Sequence, residues 1–533
     1  MKDQLTVRGM VIGAIGVVII TTSSMFIALK LSSLPWPIIF VALVSMFCLK
    51  AMGNTNLNEI NVTQTAMSAG AMVAGGLAFT IPGIWMLDSN AEVSWGKLLL
   101  LTLGGVMLGL IFTALIRKFY MEREDMSFPM GEACAETLLA GDEGGSKAAT
   151  LFITMGAVAI FTFIRDWFTK IPAVLLNQKM MVYGSFCGVY VSPMLVGIGY
   201  LIGPLAISVW FIGALIGDFG VLLGGTELGL WDVATAATVK ASLGIGLMVG
   251  TGISIVIFNV LPKAKEIFGG MFSKDSIGSS IVPMRWAPWA MIILAALFTF
   301  VLDMGIVPSV ITIVGAWIAT AMSSHCVGQT GINPMEIFGI IVLIACKAIS
   351  EIGETEAFFV AAIVAVCCGL CGDIMNDFKV GVILKTDPKA QWIAELIGGI
   401  IGALISVGVL MVIISAYGGD SFGSEMFPAA QAGAVSAMVG GISHLPAFII
   451  GMVAAIILYA LKLPVMTLGL GVYLPFYLSA TAFTGGLLRL IADKFFPAFE
   501  KANRGTIIAS GLLGGEGVTG VIIALIIAIQ AIM

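Results

Sequence analysis

The sequence predicts an all-α polytopic membrane protein, with about 16 or 17 transmembrane helices in two inverted-topology repeats. Three observations carry that reading. Of 533 residues, 59% are hydrophobic and 11% are charged, whereas a water-soluble domain carries about 25% charged residues. Apolar stretches recur from Val7 to Met533, each near the roughly 20 residues that cross a bilayer as helix, and the period-two alternation of a lipid-facing barrel is absent. The third observation is self-similarity between the two halves, joined to a reversal of loop charge.

The first apolar stretch, Val11 to Leu31, follows Lys2 and Arg8. It lacks a small-x-small cleavage site after a short apolar core, so it is read as a retained helix and not a signal peptide. Helices in the first half are expected near 8–30, 32–50, 59–86, 96–116, 127–141, 148–164, 196–217 and 236–261. The stretch from Ile171 to Pro193 fits an amphipathic, a re-entrant or a crossing segment equally well. The longest polar interval, Pro262 to Arg285, reads as a loop, and Trp286 to Asp303 as a connecting helix, with about eight further helices after it. The chain therefore divides into a first repeat (1–262), a cytoplasmic loop and connector (263–304) and a second repeat (305–533).

An offset of 299 residues aligns Pro35 (LPWPIIF) with Pro334 (INPMEIF) and Phe128-Pro129 with Phe427-Pro428. It also lays Asn58 to Gly70 on Ala357 to Gly369; later the offset shrinks to 268, pairing Ala241-Ser242 with Ala509-Ser510. Loop charge supplies orientation, because Lys and Arg favour the cytoplasmic side. The basic intervals Arg117–Arg123, Arg165–Lys179 and Lys263–Arg285 alternate with base-free Asp88–Glu92 and Asp218–Asp232. In the second half Gly419–Glu425 is base-free, whereas Lys379–Lys389 and Arg489–Arg504 are basic. The halves are thus expected to face opposite ways, amino terminus inside. Inverted repeats suit a carrier, since equivalent halves can exchange conformations around a central site. The two Phe-Pro segments (FPMGEACAETLLAG and FPAAQAGAVSAMVG) are short and interrupted at matching places, the pattern that points to such a site.

Other chemistries find little support. The net charge is −5 and no basic run suggests nucleic acid. Cys368 and Cys371 form a C-x-x-C within the small-residue run AVCCGLCGD, where packing explains them. With His325 and His444 alone among histidines, no zinc or iron site and no cofactor is expected. Neither a nucleotide-binding loop nor a nucleophile–base motif of an enzyme appears.

Polar groups within the apolar segments are the site candidates, since a carboxylate near the bilayer centre costs at least about 2.5–3.5 kcal/mol. Glu132 and Glu136 lie four residues apart on one face of the first Phe-Pro segment. Close acids in a partly dry site repel, which makes them candidates for proton coupling or for a substrate amine; a wet membrane boundary is the alternative. Glu59, Asn61 and Gln64 open the third helix, either to meet peptide-like groups or as a helix cap. Asp373, Asn376 and Asp377 fall within one helical turn of GDIMNDFK, in a site or at a solvated helix end. Glu516 stands among Gly514, Gly515 and Gly517 of the last helix, where glycines permit close packing or local unwinding. Lys240 and Lys347 are candidate positive partners, with snorkelling as the alternative; His444 could titrate near neutral pH.

The stretches NEINVTQTAMSAGAMVAGG, FPMGEACAETLLAGDEGG, GINPMEIFGIIVLI, CGDIMNDFKVGVILKTDPKAQ, LPVMTLGLGVYLPFYLSA and GLLGGEGVTG extend over nearly the whole chain. In this order they resemble the oligopeptide transporter family, which includes plant yellow-stripe metal-chelate carriers and bacterial members. Where that family usually has an acid directly after the proline, this chain has Met130, with Glu132 two residues on. The resemblance implies proton-coupled uptake of small peptides, or of peptide-like metal chelates, across the cytoplasmic membrane. Lipid and a peptide-like solute are then the expected partners, a homodimer is allowed, and the proton is the coupling ion. A metal-chelate carrier and a passive channel are the rival readings.

Overall fold

The structure is a computed structural model that describes residues 3–31, 34, 38–122, 126–143, 145–260, 262, 286–424, 426–439, 442–497, 499 and 504–532. It is helical almost throughout. The first part comprises α1 (Val7–Leu31), α2 (Ile38–Met52), α3 (Leu57–Ala78), α4 (Gly83–Leu87), α5 (Trp95–Glu122), α6 (Pro129–Glu143) and α7 (Gly145–Asp166). A hairpin of β1 (Val174–Leu176) and β2 (Gly188–Tyr190) encloses the turn-length α8 (Gln178–Met181). Next come α9 (Pro193–Ile202), α10 (Pro204–Ala214), α11 (Gly225–Glu227) and α12 (Val233–Ser254). The connecting helix is α13 (Ala287–Phe300); the polar interval 263–285 lies outside the described residues, as does Pro35.

The second part runs α14 (Ile306–Thr330), α15 (Met335–Ile349), α16 (Glu354–Leu384), α17 (Pro388–Tyr417), α18 (Ala430–Val439), α19 (Leu445–Ala460), α20 (Val465–Tyr473), α21 (Phe476–Phe495) and α22 (Arg504–Ile532). Its element order echoes the first: α1 and α14 have 25 residues each, α2 and α15 have 15 each. The packing partners echo it too. The α3 helix packs on α17 as α5 packs on α16, and α7 packs on α22 as α12 packs on α19.

Nine helices among the described residues are long and apolar enough to span a bilayer. Exposed apolar stripes at helical spacing coat the outside, for example Val11, Ile15 and Val18 on α1 and Ile450, Val453 and Ile457 on α19. Such surface is what a membrane-embedded exterior presents. At the centre lies α16, whose most apolar window is entirely buried; it touches α3, α5, α6, α14, α15 and α17.

Small residues let these backbones close up. A Cβ on Gly402 would lie 2.6 Å from Gly70 Cα, and one on Gly398 would land on the Ala66 carbonyl oxygen. Gly105 and Gly109 of α5 meet the Ile363 and Cys367 carbonyls of α16 at 2.8 and 3.0 Å in the same sense. Two G-x-x-x-G pairs thus seat α17 on α3 and α5 on α16, the close approach that lets membrane helices gain dispersion contact without a hydrophobic drive.

Several expected elements differ in their ends. The helix expected over 196–217 is two, broken where Gly203 takes φ +88° ahead of Pro204, which has no N–H to continue the ladder. Likewise the helix expected over 59–86 turns at Pro82 before α4. The undecided stretch from Ile171 to Pro193 is mainly the β-hairpin, with Val174 opposite Tyr190 and Leu176 opposite Gly188. Only glycine fits at 188, since a Cβ there would land on the Leu175 carbonyl.

Candidate functional site

Asn56 caps α3 by accepting from Glu59 N at 2.9 Å, and Asp387 with Pro388 opens α17. These starts bring the polar amino-terminal half of α3 beside the carboxy-terminal half of α16 and the first turns of α17. Gln64 Nε2 donates to Asp377 Oδ1 at 2.7 Å, and Ser68 Oγ to Asp377 Oδ2 at 3.1 Å. Gln64 Nε2 also reaches Asn61 Oδ1 at 3.0 Å, while Asn61 Nδ2 donates to Thr386 Oγ1 at 3.0 Å. Gln391 Nε2 donates to the Asp377 carbonyl at 2.6 Å. All of these side chains are buried, Asp377, Asp373, Asn61 and Gln64 at 0% exposure.

Glu395 of α17 completes the constellation at 0% exposure. One carboxylate oxygen from each of Asp373, Asp377 and Glu395 lies within 4.8 Å of the others. Among the described residues, both oxygens of Asp373 and both of Glu395 have no hydrogen-bond donor. Glu395 was not singled out from sequence, although an acid inside the apolar run WIAELIGGIIG is the signal that marks it.

Asn376 faces the other way. Its Oδ1 accepts from Gly131 N at 3.1 Å, and its Nδ2 donates to Gly372 O at 3.0 Å. It thereby holds the first turn of α6, the first Phe-Pro segment, against α16. Glu132 and Glu136 lie half-buried on one face of α6. Lys379 of α16 approaches Glu132 at 3.5 Å and donates to Met126 O at 2.9 Å.

Glu59 and Glu516 are placed apart from this constellation, each in its own clamp. Glu59 accepts from Arg8 Nε and Nη2 at 2.7 Å each, from Thr6 Oγ1 at 2.6 Å and from Thr55 Oγ1 at 2.7 Å. That ties the start of α1 to the α2–α3 turn. Glu516 accepts from Arg165 Nη2 at 3.0 Å, Ser192 Oγ at 2.9 Å and Met194 N at 2.7 Å. It joins α22 to α7 and to the start of α9. Its cation is Arg165, not Lys240 or Lys347: Lys240 pairs with buried Asp218 at 2.5 Å, and Lys347 donates to the Val439 carbonyl at the end of α18. His444 caps α19, its Nδ1 accepting from Ala447 N at 3.2 Å. Cys371 and Cys367 contact Ser324 and Thr320 at 3.1 and 3.3 Å within the packed core.

A surface cavity of about 310 Å³ opens beside the second Phe-Pro segment, lined by Ile344, Lys347, Met438 and Leu445 among others. Lys347, a candidate positive partner, lines it; none of the candidate acids and amides does.

Residues 4–527 match the family described as OPT oligopeptide transporter protein. A Haemophilus influenzae protein described as a "Putative oligopeptide transporter" is 26% identical, over 95% of this chain and 92% of its own length. Two Oryza sativa subsp. japonica proteins, each described as a "Probable metal-nicotianamine transporter", are similar over shorter reaches. One is 27% identical over 46% of this chain and 40% of its own; the other is 21% identical over 58% and 52%.

Proposed function

The chain belongs to the OPT oligopeptide transporter family, a family of transporters and not of enzymes, and from that premise we propose that it is a proton-coupled symporter of small peptides. The observation that carries the reading is the buried polar crossing of α3, α16 and α17, which joins Gln64 and Ser68 to Asp377 more than 300 residues away. Carboxylates in an apolar core are costly enough that a protein keeps them for a reason. Their position on helices of equivalent order in two halves, which we read as inverted, fits a carrier whose halves rock about a central site.

The moving parts in this reading are the two Phe-Pro helices. Asn376 and Lys379 of α16 grip the first turns of α6 through Gly131 N, Glu132 and Met126 O. Proton binding at Glu132 removes the charge opposite Lys379 and loosens that grip, letting α6 shift against α16 while a peptide sits between the halves. Glu136, one turn on, shares the face. Lys347 holds the end of α18 in a comparable way. One positive charge moving inward is worth about 2.3 kcal/mol per 100 mV, enough for roughly fifty-fold accumulation.

A carrier of metal–chelator complexes is the second reading, favoured by the similarity to the two rice proteins. Purified protein in liposomes, offered di- and tripeptides or iron–chelator complexes under an imposed proton gradient, separates these. Concentrative peptide uptake that a protonophore abolishes is the expected result. Concentrative uptake of chelate alone transfers the assignment to the second reading, and flux that never concentrates any solute overturns both. Glu132→Gln is expected to lose gradient-driven uptake while keeping solute exchange.

A further inference from the structure

The fold treats its buried acids in two ways. Glu59 has Arg8, Glu516 has Arg165, and Asp218 has Lys240, each at 3.0 Å or less. Asp373, Asp377 and Glu395 have no such partner among the described residues. They bring three carboxylates to one point at 0% exposure. Asp377 is satisfied by Gln64 and Ser68, but four carboxylate oxygens, on Asp373 and Glu395, face no donor. The Oε1 atoms of Gln64 and Gln391, whose amides both donate to Asp377, are buried and unpartnered too. A donor shortage this concentrated marks a place where something positive belongs, because unpaired buried charge is what proteins avoid.

We propose that Asp373, Asp377 and Glu395 form a binding site for a hard divalent metal cation at the crossing of α3, α16 and α17. The donor set is all oxygen, which selects Mg²⁺, Mn²⁺ or Ca²⁺ and disfavours thiolate- or imidazole-seeking metals. Ligand oxygens within 4.8 Å of one another can all reach one ion, since such ions hold oxygens at about 2.0–2.6 Å. A double charge offsets most of the three negative charges, which a single alkali ion does not. Gln64, whose amide reaches the Asp377 carboxylate at 2.7 Å, is the neighbouring side chain that would supply a further carbonyl oxygen. The bound ion joins α3 of the first half to α16 and α17 of the second. The inference stands apart from the transport reading, because binding is measured without a gradient or a solute.

The test uses full-length protein in detergent, stripped with EDTA, with its unfolding temperature followed against Mg²⁺, Mn²⁺, Ca²⁺ and Na⁺ separately. A saturable rise with at least one divalent ion is expected, with one Mn²⁺ per chain bound by electron paramagnetic resonance. Asp373→Asn and Glu395→Gln keep shape and remove charge; each is expected to weaken binding by more than the 10–100-fold typical of an outer-shell partner. A hydrophobic carbodiimide mapped by peptide mass spectrometry gives a readout on the parent protein alone, with bound ion expected to protect Asp373 and Glu395. No rise with any divalent ion overturns the proposal. So does an equal rise in both variants, a response to Na⁺ or to acid alone, or labelling that the ion leaves unchanged.

Discussion

The clamp around Glu516 makes a quantitative prediction about which of its members matters more. Arg165 and Glu516 are exposed by only 3% and 6%, so neither has water to fall back on. Removing one partner of such a pair costs about 3–5 kcal/mol, most of it the penalty of stranding the other charge. In Arg165→Met, Glu516 keeps its bonds from Ser192 Oγ and Met194 N, which places the loss near the lower end, about 3 kcal/mol. That corresponds to roughly a 150-fold fall in the folded-to-unfolded ratio. Glu516→Gln behaves differently. Its amide oxygen still accepts from Ser192 and Met194, and Arg165 keeps Asp166 at 2.6 Å and the Val191 carbonyl, so the loss is about 1–2 kcal/mol. The assay is unfolding in mixed micelles titrated with a denaturing detergent, followed by far-ultraviolet circular dichroism. An Arg165→Met protein within 1 kcal/mol of the parent, or one more stable than Glu516→Gln, refutes the reasoning. Proton-driven uptake retained by Glu516→Gln would remove that residue from the coupling groups and leave it a purely structural one.

Gly402→Leu is expected to lose about 1–3 kcal/mol through overpacking against Gly70, whereas Gly408→Ala on the same helix, with nothing within 4 Å of its added Cβ, should gain up to about 1 kcal/mol from helix propensity; thermal unfolding in detergent compares them. Asn376→Ala uncaps Gly131 N and should speed exchange of that amide about five-fold, for a bond worth about 1 kcal/mol, as read by hydrogen exchange with mass spectrometry. Lys240→Met strands Asp218, which among the described residues then keeps only the Ser185 hydroxyl at 2.6 Å, and should destabilise by about 3 kcal/mol; the double change Lys240→Met with Asp218→Leu should recover most of that loss in the same unfolding assay.

Much of the architecture was legible in the chain because a membrane imposes a one-dimensional rule. Twenty apolar residues must be helix, and that rule holds residue by residue without knowledge of neighbours. The offset of 299 residues between Pro35 and Pro334 likewise anticipates the spacing from Val7 at the start of α1 to Ile306 at the start of α14. Where a local feature overrides length, the reading failed: Gly203-Pro204 splits one expected helix, and Pro82 ends another early. The hairpin at 174–190 was ambiguous because three-residue strands have no period to detect.

Polar residues were easy to find and hard to assign. Gln64, Asn61, Asp373 and Asn376 stood out as costly groups in apolar surroundings; the structure brings the first three to the crossing of α3, α16 and α17 and turns Asn376 to α6. Their partners could not be read from spacing, since Gln64 and Asp377 are 313 residues apart. Glu395 escaped notice inside an otherwise apolar helix, and the two clamps on Glu59 and Glu516 were invisible because Arg8 and Arg165 each sit far along the chain from their acids.

By itself, then, the sequence determined that this is a helical membrane protein, because hydropathy is a property of the chain. Only tertiary structure decided which buried acids carry a cation and which do not. That depends on distances between helices, and charges interact through space with a strength set by separation and burial, regardless of the number of residues between them.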